Sequence, residues 1–544
     1  MSADLQDKSG DMDTEVIADH VPEPTYGAKQ RGTILPTGSE WTFELIERYD
    51  REIAKVAERY GLDTYRNQIE IISAEQMMDA YASNGMPINY THWTFGKRFL
   101  STEQTYKRGH MGLAYEIVIN SNPCIAYLME ENTMPMQALV IAHACYGHNS
   151  FFKGNYLFRT WTHADSIIDY LVFAKSYIAD CERRYGGEEV ERVLDACHAL
   201  QNLGVDRYKR PPRRSFAQEQ ARQKERESYV QAQVNELWRT LPQTKHGDDE
   251  EYELNFPAEP EENLLYFIEK HAPLLDSWQR ELARIVRKLG QYFYPQRQTQ
   301  VMNEGWATFW HYTILQTMYD DGLLADSFMF EVLHSHTSVL TQPRFDSQYF
   351  SGINPYALGF AMFKDIRRIC EAPTEEDYRW FPDVAGGDWL KTLHYAMRNF
   401  KDESFILQYL SPKLIRDFRL FCLVDDDQDA KMRVGAIHDD AGYRYVRDAL
   451  SRQYSLAERD PDIQVTHVDM SGDRTLTLQH HTRDRKPLSQ DYKDVMKHLA
   501  WLWGFKVKLE AVGEDGAVQT LHEVTLENRK RRADARQIAA MRRP

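Results

Sequence analysis

Apolar and polar positions alternate with a helical period over most of this chain and with a strand-like period beyond about residue 420. From Trp41, the positions Phe43, Leu45, Ile46, Ile53, Val56 and Ala57 recur at three and four residues, as one buried helical face requires. Residues 115–119 read as a strand closed by Asn122-Pro123, and residues 139–144 as a buried helix. Ile167, Ile168, Leu171, Ala174 and Ile178 predict a further helix, followed by one over residues 190–200. Leu264, Ile268, Leu275, Trp278, Leu282, Ile285 and Leu289 predict a long helix, and the helical pattern continues through Glu304. Beyond it, strands are expected over 418–424, 433–437, 464–469, 474–480 and 505–510, with helices over 442–454 and 491–503.

These elements predict an α+β chain. Residues 1–38 are polar, carry Pro22, Pro24 and Pro36, and are expected to form a disordered arm. Residues 39–415 make a large, mainly α-helical domain, interrupted over 209–260 by a charged surface excursion that opens with Lys209-Arg210-Pro211-Pro212-Arg213-Arg214. Residues 416–512 make a small α+β domain of order ββαββαβ, its helices on one face of an antiparallel sheet, and 513–544 an extension with a basic tail.

Composition narrows the function classes. Lys and Arg number 66 against 82 Asp and Glu, a net charge of −16 that disfavours a chain devoted to nucleic acid. Binding through the tail after Asn528 would have to show a strong salt dependence. The 6 cysteines form no C-x-x-C pair, and the first residues lack a basic and apolar leader, so a reducing cytoplasm is expected. No apolar run reaches the roughly 18 residues of a membrane span.

Two segments carry candidate chemistry. In Asn303-Glu304-Gly305-Trp306-Ala307-Thr308-Phe309-Trp310-His311, the carboxylate and imidazole are seven residues apart and share a helical face. Both are ligand types that zinc accepts. His143 and His148 are five apart, which on an α-helix separates them by ~140°. They reach one ion only if the helix loosens as a π-bulge or ends at Gly147. The competing readings are core histidines bonded to carbonyls and a buried Glu304–Arg297 pair. His336 is a candidate site-lining residue. Asp195/His198 and Glu331/His334 have the carboxylate-x-x-His spacing of a di-iron bundle, without evident bridging glutamates. His163 reads as a helix-start residue and Cys145 as core; no glycine-rich phosphate loop or Ser-His-Asp order occurs.

His143-x-x-x-Gly147-His148 with Asn303-Glu304-Gly305-Trp306-Ala307 resembles the SpoVR family (stage V sporulation protein R-like). So do Phe151-Phe152-Lys153-Gly154-Asn155, Val205-Asp206-Arg207-Tyr208, Asn354-Pro355-Tyr356-x-Leu358-Gly359 and the small C-terminal domain, over about residues 40 to 510. The resemblance carries no established activity. It implies links to spore cortex formation or to stress and nutrient responses, beside an AAA+-type serine kinase and a von Willebrand A-type protein.

A more distant likeness is to zinc-peptidase-like proteins with His-Glu-x-x-Pro-Gly-His followed by Glu-Gly-Trp-Ala. It implies a zincin-like large domain with zinc on His143, His148 and Glu304, and His311 as a fourth or outer ligand. The spacing is one residue shorter here, and Ala144 stands where that scheme places its general base. Glu116 and Asp165 are candidates for the missing base, as is Glu304 itself if His311 is the third ligand. The expected function is a cytoplasmic, metal-dependent hydrolase-like protein acting on amide bonds in peptide or peptidoglycan-type material. The alternative is a non-catalytic stress-signalling adaptor acting with the kinase, its metal structural or absent.

Overall fold

The computed structural model describes residues 33–83, 85–107, 116–208, 256–345, 347–424, 433–434, 438–482, 488–513 and 516–525. The N-terminal arm up to residue 32, the excursion over 209–255 and the basic tail from 526 lie outside the described residues. The packed body begins slightly before Ser39: Leu35 is buried and its N–H donates to Leu323 O at 2.9 Å.

The first core is built around the helix Gln300–Asp320, which is buried on nearly every side. Trp306 and Trp310, one turn apart, pack edge to face with ring centroids 5.3 Å apart, and Phe309 and Ile314 extend the apolar surface. A helix apolar all round has to be wrapped by others. Here the wrapping helices include Phe43–Arg59, Met134–Ile141, Pro355–Glu371 and Asp402–Tyr409. Asp402 is buried at the N-terminus of the central helix, where its carboxylate accepts from the N–H groups of Val301 at 2.9 Å and Met302 at 2.8 Å. It thereby satisfies donors that the helix cannot.

Glycines set how closely these helices cross. A Cβ on Gly359 would lie 2.1 Å from Val301 O, and one on Gly305 would lie 2.4 Å from the Gly359 backbone. Only a glycine pair permits that contact. A small sheet flanks the bundle: β1 (Asn67–Ile72), β2 (Glu116–Ile119) and β3 (Cys124–Met129), in the order β1-β3-β2, with β1 parallel and β2 antiparallel to β3. Of these only β2 was legible as a strand, because β3 is a short continuous apolar run and β1 alternates weakly.

A second core joins the helices Ile167–Tyr185, Gly187–Ala199, Leu264–His271 and Ser277–Gln298 to the C-terminal sheet. The expected order ββαββαβ holds along the chain, with a short extra helix and one further strand, but the single antiparallel sheet with both helices on one face is corrected here. The short ladder β4 (Leu423–Val424) with β5 (Arg433–Val434) is separate, and the helix Asp440–Tyr454 turns Tyr443, Val446 and Leu450 into the first core. The sheet proper is β6 (Asp462–Val468), β7 (Leu476–His481), β8 (Val507–Val512) and β9 (Val518–Val524), in sequential order. β7 and β8 are parallel, and the helix Tyr492–Trp503 connects them and packs on Gly187–Ala199. The chain is mixed α+β, mainly helical, with a small C-terminal sheet. Among the described residues no helix is long and apolar enough to cross a membrane.

Candidate metal centre

Residues Ala142–His148 form a π-helical turn between Met134–Ile141 and Asn149–Gly154. Hydrogen bonds from i to i+5 bring residues five apart onto one face. His143 and His148 accordingly meet, with ring centroids 4.6 Å apart. The turn fits against the central helix because residue 147 has no side chain: a Cβ there would lie 2.6 Å from Ala307 Cα. Asn303 and Glu304, on the first turns of that helix, face the two histidines.

Four side chains converge. His143 Nε2 lies 3.4 Å from Glu116 Oε1 and 3.8 Å from Glu304 Oε2, and His148 Nε2 lies 3.5 Å from the same Glu304 oxygen. The ligand atoms of Glu116, His143 and His148 all fall within 4.8 Å of one another. An ion with tetrahedral arms of ~2.1 Å places its ligand atoms ~3.4 Å apart, so this spacing suits zinc. Glu304 Oε2 is buried with no hydrogen-bond partner, a costly arrangement that a cation would relieve. His148 Nδ1 pairs with Asn303 Oδ1 at 2.9 Å. A carbonyl oxygen only accepts, so Nδ1 carries the proton and Nε2 presents its lone pair to the cluster. The donor set therefore fits a divalent metal.

The two carboxylates are electrostatically unequal. Burial, with Glu304 nearby, pushes the Glu116 carboxyl up to about 8. Burial also opposes charge on Glu304, but the adjacent His148 and His143 outweigh it and hold that carboxyl below its usual range. The charge of Glu304, with burial, raises the Tyr356 phenol strongly. Burial brings His143 down to about 4.

His311 stands behind His143. Its Nδ1 is 2.9 Å from His143 Nδ1, and its Nε2 is 2.8 Å from His336 Nδ1. Both ring nitrogens are thus engaged by other histidines, and burial holds His311 well below its usual range. His336 is buried between Tyr312 and Phe360. The helix Pro355–Glu371 brings Tyr356 to the site, its first turn capped by Asn354 Oδ1 accepting from Tyr356 N at 3.0 Å.

Other sequence candidates fall elsewhere. Arg297 pairs with Asp460 at 2.9 Å and not with Glu304, which removes the buried Arg–Glu reading. Asp165 is exposed and accepts from Asn122, away from the cluster. His198 bonds Tyr90 while Asp195 accepts from Trp93; Glu331 accepts from Thr133 while His334 is exposed. Neither carboxylate-x-x-His pair forms a metal group among the described residues. Cys145 is core, and Ala144 is buried in the same apolar cluster. The residue that spacing arguments could not rank was Glu116, because it lies on a strand far from both motifs. A cleft of 490 Å³ lined by Gln201, Asn202, Gln296, Gln300, Asn303 and Glu304 opens onto the centre.

A mainly helical protein with a buried centre of two histidines and two glutamates is thereby defined. The chain belongs to the SpoVR family: the family model described as SpoVR like protein matches residues 40–459, and that of the SpoVR-like C-terminal domain matches 461–514. It is 63% identical over 489 residues to the "Uncharacterized protein YcgB" of Escherichia coli (strain K12), covering 90% of this chain and 96% of that one. No solved structure matches.

Proposed function

We propose that this chain is a cytoplasmic, zinc-dependent hydrolase with a zincin-like site that cleaves amide bonds in peptide or peptidoglycan-type material. The observation that supports it best is the spacing of His143, His148, Glu304 and Glu116 around a buried, unpartnered carboxylate oxygen. In this reading His143, His148 and Glu304 hold the ion, and His311 orients His143 from behind. When bound, zinc supplies Lewis-acid polarisation of a carbonyl and acidifies water. Glu116 is the carboxylate left to move the proton, since Ala144 offers none and faces the core. Asn303 fixes His148, and the Tyr356 phenol is close enough to Glu304 to feel its charge. The amide side chains lining the cleft match the donors and acceptors of a peptide backbone. A role in cortex formation or stress response beside an AAA+-type serine kinase and a von Willebrand A-type protein belongs to the same proposal, on family association.

A second reading is favoured by one feature. If Glu116 is a ligand too, the four protein groups close the coordination shell, as in structural zinc sites, and the chain is a non-catalytic adaptor. Elemental analysis of the full chain separates the two. One zinc per chain is expected, lost in His143→Ala and Glu304→Ala; stoichiometric metal in both variants would refute the ligand assignment. Glu116→Gln that keeps the metal but loses cleavage of peptides or muropeptides supports the hydrolase. Metal lost from Glu116→Gln supports the adaptor.

A further inference from the structure

The helix Asp440–Tyr454 carries Arg444 and Arg447 three residues apart, and hence on one face. That face meets Trp380, the last residue of the helix Glu375–Trp380. The guanidinium carbons of Arg444 and Arg447 lie 5.2 and 4.8 Å from the Trp380 ring, and Arg447 is also 5.5 Å from Phe381. Arg444, Arg447 and Trp380, together with Arg379 and Leu407, line a cavity of 350 Å³. None of them belongs to the metal centre.

The donors in this cavity outnumber the acceptors. Arg447 Nε donates to Leu410 O at 2.9 Å, but its Nη2 is buried without a partner. Trp380 Nε1 is likewise buried and unpartnered. Two orphaned donors on side chains that line one cavity are unusual, because each forfeits its bonds to water. Neighbouring acids are engaged by other arginines: Glu376 with Arg416 at 2.6 Å, Asp448 with Arg452 at 2.8 Å, and Asp440 with the cavity's own Arg379 at 3.3 Å, which leaves Arg444 and Arg447 as the two unpaired charges. Among the described residues no carboxylate pairs with Arg444 or Arg447. Burial and the charge of Arg444 bring Arg447 down to about 10, so the cluster is under repulsion. A chain of net charge −16 has no shortage of acids to place there.

We propose that Arg444, Arg447, Arg379 and Trp380 form a second ligand site that binds a small phosphomonoester. Two guanidinium charges without a carboxylate partner match a dianion, and a phosphomonoester carries ≈ −1.5 to −2 at neutral pH. Its tetrahedral oxygens accept from several directions at once, which suits the guanidinium forks of Arg444 and Arg447. A monocarboxylate would leave one positive charge unmatched. Leu407, apolar and half exposed at the rim, gives the organic part a surface to lie on.

Isothermal titration of the full chain with inorganic phosphate and with phenyl phosphate tests this. One site per chain is expected, tighter for phenyl phosphate and weakened about tenfold or more in Arg444→Gln, whose exposed side chain makes the fold insensitive to the change. Arg447→Met is expected to abolish binding, and His143→Ala to leave it intact, which separates this site from phosphate captured at a metal. No heat with either probe, unchanged binding in Arg444→Gln, loss in His143→Ala, or benzoate binding as tightly as phenyl phosphate would each overturn the proposal.

Discussion

Replacing Gly147 by alanine puts a methyl carbon 2.6 Å from Ala307 Cα, 2.8 Å from Ala307 Cβ and 3.2 Å from Ala307 O. Carbon atoms rest at about 3.5–4.0 Å, so the π-turn and the central helix must part by about 1 Å. Both partners are backbone or its first side-chain atom, and no rotamer change relieves the clash. Overpacking of this kind costs about 1–3 kcal/mol, and the rigidity of both elements puts the substitution at the upper end. The same 1 Å shift stretches the His143–His311 contact from 2.9 Å beyond hydrogen-bond range, adding about 1 kcal/mol. The expected loss is therefore about 3–4 kcal/mol in urea unfolding, with occupancy of the proposed zinc site falling in parallel. Gly96→Ala is the matched control. Nothing lies within 4 Å of its added Cβ, and the residue is in the helix Trp93–Lys107, so it should be neutral or stabilising by up to about 1 kcal/mol. If Gly147→Ala stays within about 1 kcal/mol of the native chain and keeps its metal, the close crossing does not hold the site together.

Two further predictions concern the groups that hold the fold and the site. The buried Asp377 would be raised by desolvation, but Arg368 at 2.7 Å and Thr374 hold it down to about 2. Its folded value is below the unfolded one, so its stabilisation is complete above about pH 4 and is lost as pH falls through about 2; Asp377→Asn should cost about 1 kcal/mol at pH 7, after allowing for solvent screening, and progressively less as pH falls through that window. A pH-independent gap between the two unfolding curves would contradict that. His311→Leu removes the ring behind His143 while leaving the proposed ligands in place, and should weaken binding at the proposed zinc site about 10–100-fold in chelator competition. Unchanged affinity would show that His143 needs no orienting partner.

Much of the geometry of the candidate centre could be read from spacing because its histidines sit on local structure. An interval of five with a glycine before the second histidine demands a departure from α-helical geometry, and the π-turn Ala142–His148 supplies it. Glu304 and His311 share a face of one helix, as their interval requires. Glu116 was only one of several candidate bases, since β2 reaches the cluster through sheet pairing rather than through any interval along the chain. The helix Asp440–Tyr454 shows the same limit. Its apolar stripe foretold a helix, but nothing in the stripe says whether a sheet or a bundle covers it, and Tyr443 and Val446 chose the bundle. Gly305 and Gly359 belong to separate motifs whose shared purpose, one backbone lying on another, appears only in three dimensions.

The row His143, His311 and His336 has a direction. A neutral imidazole holds one N–H and one lone pair, so each ring must donate on one side and accept on the other. If His143 Nε2 gives its lone pair to an ion, its Nδ1–H points at His311, whose Nε2–H points at His336, and His336 Nε2 is left with a proton. If His143 Nε2 instead keeps its proton for a carboxylate, every bond in the row reverses, and His336 Nε2 is left with a lone pair. The state of the centre is thus written two rings away, beside Tyr312 and Phe360, as a donor or an acceptor. One binary signal crosses the width of a helix, and only hydrogen atoms need to move.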